Sequence, residues 1–264
     1  MMFDNILAIA KKELQGYFIS PSMYAIAAIF WSISGFFFVQ ILIGDRGIIQ
    51  QVLYKEQTNT AIVAVDVATE FLNSYLAVLG TLSLLLVPVL SMGLYAEEKK
   101  LGTMELLATS PITNWAVALG KLIAVTLVFI FLLLPSFLLE AIAFSAAQPP
   151  LPPLVPFLAH SGLILMVTAL LSIGMFISSL TNSNILAAVF TFATILVFWI
   201  FDLIASNTET WLARGLEYIS LLESYNNFVR GIFMISDLIL FLSYIFLGLF
   251  LTSQSINLFR SITR

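Results

Sequence analysis

Few residues of this chain can take part in chemistry, and most fail the pattern their chemistry needs. Gly120-Lys121 matches the pair that closes a phosphate-binding loop, yet Leu122 stands where a serine or threonine must hold magnesium, and Trp115 replaces the first glycine. No strand pattern precedes it. His160 is the single histidine, near the outer end of an apolar segment with no carboxylate close in sequence, and a local hydrogen-bond partner is expected for it. There is no cysteine, which excludes disulfides, thiolate catalysis and cysteine-ligated metals. Glu140 and Asp202 sit at the ends of apolar segments and are expected to reach the headgroup region as plain boundary groups, as are Asp66, Glu70 and Asp237. Catalytic, cofactor-binding and metal-ligating residues are therefore expected to be absent.

One run reads differently. Glu97, Glu98, Lys99 and Lys100 stand together, followed by Leu101, Gly102, Thr103, Met104, Glu105, Leu106, Leu107, Ala108 and, after Thr109-Ser110, Pro111. Four consecutive charges cannot lie in hydrocarbon, so the run sits at a membrane face. Leu101, Met104 and Ala108 share one helical face with Leu107 beside it. Gly102 permits close backbone approach and Pro111 ends the segment. A short helix with a small apolar face flanked by charge suits a groove on a soluble partner.

The elements that position this run follow from composition. The 264 residues are 60% hydrophobic and 10% charged, with mean hydropathy +1.03, whereas a soluble domain carries about 25% charged residues. Lipid is the solvent for most of the chain. A spanning helix needs about 20 apolar residues, and six segments qualify: 22–43, 71–96, 122–139, 157–180, 184–201 and 238–259. Their length argues for helices, since a barrel strand is about 10 residues of alternating polarity. The fold class is an all-α integral membrane protein of six spans, forming one domain over 1–264. An even number of spans puts both termini on one side. Lys11, Lys12, Lys99, Lys100, Lys121, Arg260 and Arg264 fall on that side, against Arg46, Lys55, Arg214 and Arg230 on the other, so the terminal side is expected to be cytoplasmic. Asp4, Lys11, Lys12 and Glu13 interrupt the N-terminus, so no cleaved signal peptide is expected.

The connections are uneven. Residues 1–20 place Phe3, Ile6, Leu7, Ala10, Leu14 and Tyr17 near helical spacing, predicting an amphipathic helix along the membrane surface. The stretch 60–71 could form an interfacial helix leading into the second span. Pro149, Pro150, Pro152, Pro153 and Pro156 predict a stiff polyproline-type turn. Residues 203–237 are too apolar for a plain loop and too charged to span, predicting short helices that dip into the outer interface. Pro88 and Pro135 lie inside spans, and Gly174/Ser178 and Gly248/Thr252 are small-residue pairs that allow close helix packing.

The run Glu97 to Pro111 with Gly120-Lys121 beyond it resembles the type-2 ABC transporter permeases, and more narrowly the branch of gliding-motility and nitrous-oxide-reductase-maturation permeases. A second motif agrees: Ser220, Glu223, Tyr225, Phe228, Arg230 and Gly231 ahead of a final span, with Tyr225-Asn226 where a His-Phe-like pair is common in the family. The resemblance covers essentially the whole chain. It implies a permease subunit acting in export, embedded in lipid of the cell inner membrane. Such a subunit pairs with a second permease subunit and binds two copies of an ATP-binding subunit, where ATP and magnesium reside. Residues 97–113 would hold the coupling helix. No nucleic-acid partner is implied. Two other classes are open to the residues alone: a secondary transporter working by itself, which would need carboxylates within its spans, and a non-transporting membrane anchor for an ATPase-driven machine.

Overall fold

The structure is a computed structural model that describes residues 2–57, 66–104, 112–147, 151–207, 215–216 and 218–262. Every regular element among the described residues is helical. α1 (Met2–Ile19) lies before the first span. α2 (Pro21–Ile43) starts with proline at its first position, where the missing N–H costs nothing. α3 (Ile48–Gln57) is a short helix within the connection between the first two spans. α4 (Val67–Ser91) is capped by Asp66, whose carboxylate accepts from the Ala68 and Thr69 amides. α5 (Gly93–Lys100) continues α4 after a one-residue break at Met92. Pro88 lies one turn before that break and removes a helix hydrogen bond.

α6 (Asn114–Ser145) is capped by the Thr113 hydroxyl and begins two turns before the expected boundary. α7 (Leu154–Leu180) follows Pro153, which already has helical backbone angles, so Pro153 and Pro156 belong to the opening of the helix, while Pro149 and Pro150 of the expected polyproline-type turn lie outside the described residues. α8 (Asn184–Asn207), α9 (Leu221–Val229) and α10 (Ile235–Ile262) complete the order. Residues 60–65 of the expected interfacial helix and 208–214 of the external segment lie outside the described residues.

Among the described residues, six helices are long and apolar enough to cross a membrane. α7 is the hub, packing on α10, α9, α4, α6, α8 and α5. Its most apolar window is 61% buried, against 17% in the first and fifth spans, which leaves those two helices at the periphery. Small residues let the hub's neighbours approach. A Cβ on Gly174 would lie 2.4 Å from the Ser91 hydroxyl, and one on Gly248 would lie 2.6 Å from the Ser172 carbonyl carbon. The small-residue pairs seen in the sequence therefore mark real close contacts of α7 with α4 and α10. α1 packs along α6, at the end of the bundle that also holds the C-terminus. That end is called the terminal face below.

Candidate functional site

The charged run meets the bundle at the terminal face. Glu97 to Lys100 are not the start of a separate helix. They are the last turn of α5, the extension of the second span. The Leu101 amide donates to the Glu97 carbonyl and the Gly102 amide to Lys99. Gly102 has φ +72°, the left-handed conformation that stops a helix and favours glycine. Leu101, Gly102 and Thr103 form an exposed tip, with Leu101 68% exposed, while Met104 turns back into the core. Glu105, Leu106, Leu107 and Pro111, and with them the rest of the expected coupling helix, lie outside the described residues.

Beneath the tip, α5 is held on several sides. Lys121 of α6, counted by sequence among the positive charges of the terminal side, is only 2% exposed. Its Nζ lies 2.9 Å from Glu13 Oε1 of α1 and 3.0 Å from Glu98 Oε1 of α5. It also sits over the Tyr95 ring at 5.1 Å from the centroid. One buried cation thus joins the N-terminal helix, the second span's extension and the third span. The Ser178 hydroxyl accepts from the Tyr95 and Ala96 amides and donates to the Met92 carbonyl. Those amides lie just past the Met92 break, so α7 supplies a partner where the helix is interrupted. Lys99 donates to the Ser179 carbonyl and lies 5.6 Å from the Phe259 ring centroid. Asn114 donates to Asn257, and Arg260 donates to the Ile112 carbonyl at 3.0 Å. These contacts tie the last span to the start of the third.

Glu97 lines a cleft of about 420 Å³ between α1, the start of α2 and the α4–α5 junction. Lys12, Glu13, Ser20, Ser22 and Asn184 give it polar walls; Met23, Ile26, Leu90 and Leu94 give it apolar ones. Tyr17 donates to the Leu90 carbonyl at 3.0 Å. Burial, and then the carboxylates of Glu13 and Glu97, hold the Tyr17 hydroxyl well above its ordinary pKa. The cleft can seat a molecule with a charged head and an apolar body.

At the opposite face, the second motif forms a plug. Ser220 caps α9, accepting from the Glu223 amide and donating to Asp202 at 2.6 Å. Asp202 is thus tied to α9 as well as marking a span end. Ser224 and Asn227 both donate to Asp237, each at 3.1 Å, so Asp237 is buried in a hydrogen-bonded corner, not free at a boundary. Tyr225 reaches across to donate to the Leu76 carbonyl at 2.7 Å. Gly80 makes room for the Tyr225 ring, and Gly162 for Phe228: a Cβ there would lie 2.9 Å and 2.5 Å away, respectively. Gly231, at φ +74°, reverses the chain after Arg230 caps the helix. Of the six motif residues, Ser220, Tyr225 and Phe228 are buried, Glu223 and Gly231 are half-buried and Arg230 is exposed.

Glu140 requires a correction. It is 1% exposed and lies 3.6 Å from His160 Nε2, so it is enclosed between two spans and is not a plain boundary group. The two residues are 20 positions apart in different spans, which is why no local sequence signal joined them. The expected local partner of His160 is present, since Nδ1 lies 2.9 Å from the Pro156 carbonyl. No group of three or more metal-ligating side chains occurs among the described residues.

A family model described as ABC-2 family transporter protein matches residues 7–259. The chain belongs to the ABC-2 transporter family. Among curated proteins none matches it. An ABC-2 permease is the transmembrane subunit of an ABC transporter, is not itself catalytic, and associates with an ATP-binding subunit. This places the chain among multi-pass permeases and sets aside the carrier that works alone.

Proposed function

We propose that this ABC-2 permease subunit carries the force of ATP-driven closure from its ATP-binding partner into the membrane through residues 97–111. The observation that carries the reading is the exposed Leu101–Thr103 tip on a helix that is continuous with the second span apart from the Met92 break. A partner that pushes on the tip acts on α5. The Lys121 ion pairs pass the displacement to α1 and α6, and the Ser178 and Ser179 contacts pass it to α7. Rigid elements joined in this way move as a unit. Glu97 and Lys100 orient docking more than they supply affinity. The working assembly is a permease dimer with two ATP-binding subunits, which hold ATP and magnesium. It sits in the inner membrane with both termini cytoplasmic and acts in export. The amphipathic cleft beside Glu97 favours an amphipathic cargo, and the narrower kinship is with the gliding-motility and nitrous-oxide-reductase-maturation branch.

The test is co-purification of the tagged chain with its ATP-binding subunit in mild detergent, followed by ATPase assay of the reconstituted complex. Gly102→Trp or Glu97→Lys is expected to leave insertion intact and to abolish the coupling of hydrolysis to transport. Wild-type coupling in both variants would overturn the reading.

A further inference from the structure

We propose that Glu140 and His160 form a proton-binding site inside the bundle, holding one proton between them. The chemistry follows from which atom faces which. The Pro156 carbonyl can only accept, so His160 Nδ1, 2.9 Å away, must carry its hydrogen. A neutral imidazole then has a bare lone pair on Nε2. That nitrogen faces Glu140 Oε1 at 3.6 Å. Neither Nε2 nor either Glu140 oxygen has a hydrogen-bond partner among the described residues, and all three are buried. An ionised carboxylate here would set two acceptors against each other and leave a full charge in an apolar interior. Such a charge is strongly disfavoured without a counter-ion. One proton removes the conflict. Either the carboxylic acid donates to Nε2, or the imidazolium donates to the carboxylate, and the pair is neutral in both forms. The separation is a few tenths of an ångström beyond a normal N···O hydrogen bond, which side-chain rotation closes.

The groups around the pair leave no substitute cation. From α4 comes the Tyr75 hydroxyl, itself buried beside Ser34 of α2 and Ser136 of α6, without a hydrogen bond of good geometry. From α9 comes Tyr225, already donating to the Leu76 carbonyl. Phe137 meets the imidazole edge-on at 5.0 Å between centroids. Tyrosines are neutral near pH 7, and among the described residues Glu140 has no lysine or arginine partner. The site joins the third and fourth spans directly beside the α9 plug. Loss of the proton leaves a net charge between two spans, so the packing of the opposite face is linked to pH.

The chain has a single histidine, which makes the test direct. Full-length protein labelled with ¹⁵N-histidine and carrying no histidine tag is placed in lipid nanodiscs, and its imidazole resonances are followed with pH. Near neutral pH, Nδ1 is expected protonated and Nε2 shifted away from the free-acceptor position, moving there in one step as pH rises. Glu140→Gln is expected to abolish that step. An infrared difference spectrum, wild type minus Glu140→Gln, locates the proton independently. A carboxylic-acid carbonyl band, or an imidazolium resonance in the NMR experiment, each supports the site. A wild-type Nε2 held at the free-acceptor position throughout, with no carboxylic-acid band, overturns it without reference to how well the variant folds.

Discussion

Replacing Lys121 with methionine isolates the contact that joins three elements at the terminal face. Methionine keeps much of the side-chain length and removes the charge. At an effective dielectric of about 20, each ion pair near 3 Å has a gross attraction of about 6 kcal/mol. Desolvating three ions offsets most of that, so the net worth of the intact cluster is small. The variant is different, because it leaves Glu13 and Glu98 facing a site without a cation. Removing one partner of a buried pair costs about 3–5 kcal/mol. Glu13 and Glu98 retain 17% and 16% exposure, which lets water screen them and puts the expectation at the lower end of that range. At about 2–4 °C per kcal/mol for a chain of this size, a 3 kcal/mol loss lowers the melting temperature by about 6–12 °C. Thermal unfolding in nanodiscs, followed by fluorescence-detected size exclusion, reads this directly. The triple variant Glu13→Gln/Glu98→Gln/Lys121→Met removes all three charges and is expected to recover most of the loss. A single variant as stable as wild type would refute the reasoning, and so would a triple variant no better than the single.

Further outcomes follow from the same geometry. Gly162→Ala sets a Cβ 2.5 Å from the Phe228 Cβ, which is too near its backbone to give way. It is expected to cost about 1–3 kcal/mol, while Gly16→Ala, with nothing within 4 Å, is expected to be neutral or slightly stabilising in the same melting assay. Gly102→Val forces a branched residue to φ +72° and is expected to lose about 1–2 kcal/mol, shown by faster hydrogen exchange of the α5 amides than in wild type. Asp66 caps α4, and the Thr69 hydroxyl holds its carboxyl below the ordinary pKa. Its folded-state pKa is thus depressed, so the cap contributes fully above the unfolded value of about 3.9 and is lost as pH falls through the folded value. Asp66→Asn, which keeps an acceptor, is expected to remove this acid-dependent step with little change at pH 7, as read by circular dichroism across pH 2–6.

The order of spans was legible from the sequence because hydrocarbon imposes a one-dimensional constraint. A stretch of about 20 predominantly apolar residues is long enough to cross it, and a helix satisfies its backbone there. The six segments and the amphipathic α1 follow from length and periodicity, the motif before the last span was marked by the family resemblance, and Gly174 and Gly248 were visible as small residues before their partners were known. Tertiary structure decided what the few polar residues do. Lys121 was one charge in the orientation count, and Glu140 looked like a boundary acid. Each is buried because its partners come from helices far away in the chain: Glu13 and Glu98 for the first, His160 for the second. The helical period says which face a residue occupies but not which helix meets that face. Only packing around α7 brings those groups within reach, and in an apolar interior that choice of neighbour sets whether a charge is held as an ion, shared as a proton or excluded.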